Sequence, residues 1–463
     1  NRKRILELTG ENKQLKNKKK KKKAYFEAII ESQNARIEEL ETMVFGRKPK
    51  GGMPAQQKPR LDTRSRSSAS YRRPTPPVSA ITLEKHHTIV DCHRCGHTLT
   101  NKTEATRYVE DIVLAALSPN IPHKTVTKHT IERGWCSRCG QYSSARDLRG
   151  QTVTIGPAVR SLITYLIMQA DQTYTQASDL LWQLYRFKLT TGEIAAILDD
   201  RRTAYLPMYE QLKASVRAGP AHLDETRWPI QSERGAGYAH VMAGADGSAA
   251  EHSVVYVLAD SRGKGNSQQL TGDGYTHVGI TDRYGSYKHL FMSSDGTNRH
   301  QICWAHLHRN ARDITRLACL DVRKQRHVTV FYNELAAIYA AIREYKTEPF
   351  DQAVRADQAA AVLTRVTRLC RPHHLDPKKL ADLKAGILDY QDCLFLCLTI
   401  DGIPADNNKA ERSLRRLVTK RKKSFGVKTK KGARTMEVLI SVCQSLYNQD
   451  KDNCLPNLHR LAT

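Results

Sequence analysis

Two Cys-x-x-Cys-Gly knuckles, Cys92-His93-Arg94-Cys95-Gly96 and Cys136-Ser137-Arg138-Cys139-Gly140, present four thiols of the type and spacing that close a tetrahedral structural zinc site. The 40 residues between the pairs exceed the gap of compact zinc modules and leave room for a β-hairpin, 108–114 with 126–131. His93 or His97 is an alternative ligand. Seven of the 11 cysteines are scattered, a pattern of reduced thiols rather than a disulfide framework.

A second set of residues suits phosphodiester chemistry, which calls for two divalent ions about 4 Å apart held by hard carboxylate oxygens. Asp224, in His222-Leu223-Asp224-Glu225-Thr226, and Asp282, in Gly279-Ile280-Thr281-Asp282-Arg283-Tyr284, both belong to short β-rich segments. Adjacent strands about 4.8 Å apart bring two such side chains within reach of shared cations. Aspartate at a strand end is also a common turn or cap residue. Glu411 stands near the start of a helix over 406–423, where the back-reaching Glu of a capping box would stand as well. Capping alone leaves unexplained the cations around it, Arg412, Arg415, Arg416, Lys420, Arg421, Lys422 and Lys423. A metal-binding carboxylate beside a phosphate-gripping face accounts for both.

These residues need several elements to position them, and 463 residues suffice for two to four folded units. No long uncharged apolar run suggests a membrane span, and the charged start Asn1-Arg2-Lys3-Arg4 lacks a following apolar core, so a cytoplasmic protein is expected. The net charge of +27 is concentrated: residues 1–73 carry +13 and residues 409–434 carry +11, as expected where a polyanion is bound. Residues 1–45 show heptad-like spacing, either a short coiled coil or a single charged helix, since six lysines at 18–23 weaken pairing. Residues 46–80, rich in Pro, Gly, Ser and Arg, read as a disordered basic linker, and 81–150 as the zinc module. Over 151–215 helical spacing recurs, and a helix, turn and helix there could form a DNA-reading pair. Over 216–318 come three hairpin-linked strands (221–224, 237–243, 253–258), a helix at 267–270, and a strand at 277–281, the start of an RNase H-like mixed sheet. Residues 319–400 read as an all-helical insertion, 401–450 as the Glu411 helix with its basic patch, and 451–463 as a tail.

Four stretches together resemble the IS66 family of bacterial insertion-sequence transposases. They are the head ending Met43-Val44-Phe45-Gly46-Arg47-Lys48, the paired Cys knuckles, the triplet Asp224-Glu225-Thr226, and the run from Asp401 through Asp406-Asn407-Asn408-Lys409-Ala410-Glu411-Arg412. The resemblance spans nearly the whole chain. It implies a multidomain α+β protein whose RNase H-like domain holds a DDE site, with the family's three acids on Asp224, Asp282 and Glu411 and its Cys-Trp-x-His segment on Cys303-Trp304-Ala305-His306. His306 is then either a contact to the DNA strand near the site or a packed histidine, and Arg412 a supporting residue. Two Mg2+ (or Mn2+) ions, one structural Zn2+, double-stranded DNA, a homodimer or larger assembly and small accessory proteins are the implied cofactors and partners. Arg283 departs from the family, where a small residue often follows the second Asp, and the Lys-rich head is unusual. Two competing functions share the fold: a domesticated DNA-binding protein without catalysis, and a nuclease that cuts without rejoining.

Overall fold

The computed structural model describes residues 73–113, 124–148, 151–233, 237–291, 297–318 and 320–461. The zipper-like head and most of the expected linker lie outside the described residues. Only the last residues of that stretch, 73–80, are described. Arg73 sits over the Phe187 ring and pairs with Glu110 (2.6 Å) and Glu193 (2.7 Å), and residues 78–80 form a 3-10 turn. A guanidinium held by two carboxylates fixes its stretch of backbone.

The zinc module is a five-stranded sheet of β1 (Leu83–His87), β2 (Thr100–Ile112), β3 (Lys124–Cys136), β4 (Gln141–Ser144) and β5 (Val153–Ile155). Its centre is the β2–β3 hairpin, longer than 108–114 with 126–131 because β3 runs into Cys136 itself and pairs from Thr100↔Trp135 to Ile112↔Lys124. β5 extends the sheet past residue 150 by pairing parallel with β2. At the end of β2, Asp111 accepts hydrogen bonds from the Ala158 and Val159 backbone N–H groups, capping helix α1 (Pro157–Met168) and tying the module to the rest of the protein.

Capping boxes at Thr173/Gln176 and Thr190/Glu193 open α2 (Tyr174–Tyr185) and α3 (Thr191–Arg217). The helix, turn and helix are therefore present. The second member is a 27-residue helix that buries Ile194, Leu198, Tyr205 and Tyr209 in the core.

A second sheet follows, with β6 (Ala221–Arg227), β7 (Tyr238–Gly244) and β8 (Val254–Ala259) antiparallel, then α4 (Lys264–Thr271), β9 (Gly279–Thr281), α5 (Gly285–Phe291) and β10 (His300–Ile302). Its order is β10-β9-β6-β7-β8, and β9 and β10 run parallel to β6, so β6 is central. Next come α6 (Trp304–Thr315) and the helices α7 (Val322–Tyr345), α8 (Gln352–Leu369), α9 (Lys378–Asp389) and α10 (Leu396–Thr399). These pack around Phe331, Leu335, Val362, Leu380 and Ile387 in a core shared with Ile280 of β9 and Ile302 of β10. The chain returns to the sheet with α11 (Asn408–Ser424), α12 (Lys430–Gln449) and α13 (Cys454–Arg460). α12 buries almost every residue from Ala433 to Leu446. It also covers the edge strand β8: the Val254, Tyr256 and Leu258 N–H groups donate to Ser445 Oγ (2.9 Å), Ser441 Oγ (3.0 Å) and Glu437 Oε2 (3.3 Å), which satisfies donors a missing strand would have met. Among the described residues no helix is long and apolar enough to cross a membrane.

Candidate active site

Asp224 lies in the middle of β6, and the parallel pairing with β9 runs Ala221↔Gly279 and His222↔Ile280. Continued by two residues, that register brings Asp282 level with Asp224, one strand spacing away. Their separation of 58 positions in the chain is the register offset of the two strands. Each aspartate uses one oxygen locally: Asp224 Oδ1 accepts from Glu225 N and Asp282 Oδ1 from Tyr284 N, both at 2.9 Å. The turn role considered for Asp282 is thus real, yet Oδ2 of each residue has no partner among the described residues.

Glu411 comes from the first turn of α11, which packs over β6. It does not reach back to cap its helix. The N-cap is Asn407, and Glu411 instead meets His306 Nε2 (3.2 Å) and Arg309 (3.3 Å) from α6. His306 is therefore neither free nor simply packed. Arg309, three residues on and on the same helical face, was not anticipated from the sequence; its only signal was that spacing.

Asn407, fully buried, docks α11 onto the central strand. Its Nδ2 donates to Leu223 O (2.7 Å), its Oδ1 lies 3.1 Å from His222 Nδ1, and its backbone N–H donates to Cys303 Sγ (3.1 Å). Asp406 beside it accepts from Asn408 N at 3.0 Å. The Asp-Asn-Asn run before Glu411 is a latch that brings the glutamate beside the strand bearing Asp224.

The electrostatics are those of crowded acids. Burial pushes the Asp224 carboxyl up to about 8, and the charges of Glu225, Asp282 and Glu411 add to the effect. Glu225 has a side chain only 1% exposed and is neutralised on its own side, by Arg262 and by the Tyr287 hydroxyl, with the Arg262 guanidinium 3.7 Å above the Tyr284 ring. The three acids are not drawn into a single tight cage: among the described residues the only group of three or more His, Cys, Asp or Glu ligand atoms within 4.8 Å of one another is elsewhere. Two unpartnered Asp oxygens beside a proton-retaining carboxyl still suit a cation, because a positive charge there relieves the like-charge crowding.

That other group is Cys92, Cys95, Cys136 and Cys139. Gly96 and Gly140 follow the knuckles with φ of +70° and +62°, left-handed turns that glycine adopts without steric cost. Four convergent thiols could hold a structural zinc. Hydrogen bonds from backbone and neighbouring thiols bring Cys92 down to about 6, while the hydrogen bond with Cys95 and burial push Cys139 up to about 12, so the cluster gives up a first proton readily and holds its last until a cation offsets the crowded charge. His93 and His97 are not in the group.

The basic helix divides into two kinds of residue. Arg412, Arg415 and Lys422 are exposed. Lys420 is 5% exposed and pairs with Asp171 (2.8 Å), Arg416 donates to Gln169 O (2.6 Å), Arg421 to Arg227 O and Lys423 to Asp171 O (3.1 Å). These four hold α11 against the end of α1, the loop after it and the end of β6.

Among curated proteins nothing matches the chain. The family model described as Transposase IS66 family matches residues 153–435, from the last strand of the zinc-module sheet through the first turns of α12. The match covers most of the chain and includes both aspartates, Glu411 and the whole helical insertion, so the protein belongs to the IS66 family of transposases.

Proposed function

We propose that this transposase is a DDE enzyme: its β6-centred sheet is an RNase H-like core, and Asp224, Asp282 and Glu411 are its metal-binding carboxylates. What supports this reading is the placement of the acids, Asp224 on β6, Asp282 directly after the neighbouring β9 and Glu411 on a helix latched to β6, with Asp224 within reach of the charges of the other two. Sheet order, with the first three strands antiparallel and the last two parallel to the first, supports the fold reading.

Asp224 Oδ2, Asp282 Oδ2 and the Glu411 carboxylate would hold two Mg2+ or Mn2+ ions. When bound, such ions supply Lewis acidity to the attacking and leaving oxygens of a phosphodiester. The chain's own residues do the positioning. His306 and Arg309 orient Glu411, Glu225 fixes Arg262 and Tyr287 behind Asp224, and Arg412, Arg415 and Lys422 face solvent where DNA phosphates can be gripped. The helix pair α2–α3 and the zinc module are further DNA-contacting elements in this reading.

The test uses labelled transposon-end DNA and a supercoiled target with Mg2+. Joined product from the wild-type protein, with loss of cleavage but not of DNA binding in Asp224→Asn, Asp282→Asn and Glu411→Gln, is the expected outcome. Nicks without joining would make the protein a nuclease, binding alone would make it a domesticated DNA-binding protein, and wild-type cleavage by any variant would remove that residue from the site.

A further inference from the structure

Side chains alternate along a strand, so the residues of the zinc-module sheet sort onto two faces. One face carries Glu84, Glu104, Glu110 and Glu132, and three of these meet a lysine: Glu84 pairs with Lys128, Glu110 with Lys124 and Glu132 with Lys102. The other face is charged differently. The register puts Lys85 and Arg107 on either side of His129, and Arg133 between Thr103 and Ser144, while Arg146, just past β4, reaches His129 Nδ1 at 3.3 Å. None of these four cations has a carboxylate partner among the described residues. Arg107 donates to the Thr106 and Leu148 carbonyls, and Arg133 to the Thr103 hydroxyl at 2.9 Å. The one acid that the strands place on this face, Asp111, lies at its far end and caps α1. Alternation thus leaves paired charge on one side of the sheet and uncompensated positive charge on the other, the footprint of a surface for a polyanion.

The same face presents aromatic surface outside the core. Trp135 on β3 pairs with Tyr142 on β4, their rings meeting edge-on at 5.2 Å, and the Arg133 guanidinium lies 5.1 Å from the Tyr142 ring centroid. Tyr142 is 57% exposed. A duplex meets proteins largely through phosphate and sugar, which have little use for such a ring. An unpaired base does, because every base has a π-face that lies against an aromatic ring or a guanidinium plane. Six residues of β3 separate His129 from Trp135, about 20 Å of strand. The aromatic pair with Arg133 stands at one end of that length, and Lys85, Arg107 and Arg146 stand at the other. Stacking surface and phosphate-binding cations therefore follow one line, as a single extended strand requires.

We propose that this face of the zinc-module sheet binds single-stranded DNA, with unpaired bases stacked against Tyr142, Arg133 and Trp135 and phosphates over Arg107, Arg146 and Lys85. This deepens the transposase reading by naming the form of DNA the module takes, and its test needs no cleavage. Full-length protein is titrated by fluorescence anisotropy against a labelled oligothymidylate of about 12 nucleotides, an abasic strand of the same length and a duplex of the same length. Other cationic surfaces, α11 among them, meet phosphate in every probe, so the informative quantity is the change on mutation. Tyr142→Ala should weaken oligothymidylate binding about ten-fold or more, the contribution of one stacked base, while the abasic strand and the duplex bind as before. Tyr142→Phe, which keeps the ring, should bind like wild type. Replacing Lys85 and Arg146 together by alanine should flatten the salt dependence of oligothymidylate binding by roughly 1.4. Tyr142, Lys85 and Arg146 are exposed, so these variants spare the core. Unchanged oligothymidylate affinity in Tyr142→Ala would overturn the proposal. An equal loss for the abasic strand or the duplex would overturn it too, since the face would then grip backbone alone. Cleavage of labelled DNA ends by the same preparation reports separately on the DDE reading.

Discussion

The Nε2 atom of His306 lies 3.2 Å from the Glu411 carboxylate, and that carboxylate, a turn into α11, is shared with Arg309. Two groups from α6 therefore hold the one acid of the site that does not come from the sheet. A carboxylate oriented in this way loses less entropy on taking up a metal, and outer partners of metal ligands typically contribute 10- to 100-fold in metal affinity or activity. His306→Ala and Arg309→Ala should each lower Mg2+-dependent cleavage about 10- to 100-fold and raise the Mg2+ concentration needed for half-maximal rate. An unchanged metal dependence in both variants would show that Glu411 needs no such support.

The burial and crowding of Asp224 have a pH signature. In the folded protein its carboxyl is pushed up to about 8, whereas an unfolded chain ionises near the ordinary value of about 4. Between these limits the folded state holds a proton that the unfolded state has released, so stability contributed by this group is lost as pH rises from about 4 to 8. Asp224→Asn removes the ionisation. In buffer without added divalent cations the variant should melt a few degrees above wild type at pH 8.5, with the gap closing toward pH 4. Coincident melting curves across that range would show that neither burial nor the neighbouring acids raise the Asp224 carboxyl.

Asn407 makes a different kind of contribution. Buried and bonded to Leu223 O, His222 and Cys303, it couples the α11 start to β6. Asn407→Ala leaves the Leu223 carbonyl without its donor, a loss of about 1–3 kcal/mol for a buried polar group. Denaturant unfolding should show that loss, and cleavage should fall further than stability alone explains, because Glu411 is no longer latched beside Asp224. Wild-type cleavage in a variant that is destabilised but folded would reduce the latch to a purely structural contact.

Much of this architecture is legible in the sequence. The three hairpin strands, the helix after them and the helix bearing Glu411 follow from alternation, turn residues and helical spacing. The 58-residue separation of the aspartates, uninformative in a linear chain, becomes a strand register once β6 and β9 pair. What could not be read is of two kinds. Strand β10 is only three residues long, too short for alternation to register, and it exists because it pairs with β9, itself the expected strand trimmed to Gly279–Thr281. Partners such as Arg309 for Glu411, or Asp171 for Lys420, are contacts between distant segments, and spacing within one helix cannot reveal them.

The four grouped thiols predict a module whose order depends on a bound metal. β3 ends in Cys136, and the apolar cluster at the knuckle end of the sheet is small, Ile89, Cys92, Leu99 and Cys136. A module so sparse in core relies on ligand binding for its order. The protein should contain one zinc per chain by metal analysis. Cys136→Ser should lose the zinc and expose residues 88–145 to limited proteolysis while the 153–435 region stays resistant. Full zinc content in Cys136→Ser would exclude this thiol as a ligand.

The charge on α11 offers a test that separates DNA contact from packing. Arg415 and Lys422 are exposed, whereas Lys420 is 5% exposed and ion-paired with Asp171 at 2.8 Å. Each phosphate contact contributes about 0.9 to the slope of log binding constant against log salt. Replacing Arg415 and Lys422 together by alanine should therefore flatten that slope by roughly 1.8 and leave the melting temperature within about a degree of wild type, since exposed substitutions away from special features change stability little. Lys420→Met should do the reverse. It leaves the part-buried Asp171 without its cation, a loss below the roughly 3–5 kcal/mol of a fully buried pair because Asp171 still reaches water, while the DNA salt slope stays where it was. A flattened slope from Lys420→Met in folded protein, or none from the double alanine variant, would mean that DNA is gripped by a different face of the helix.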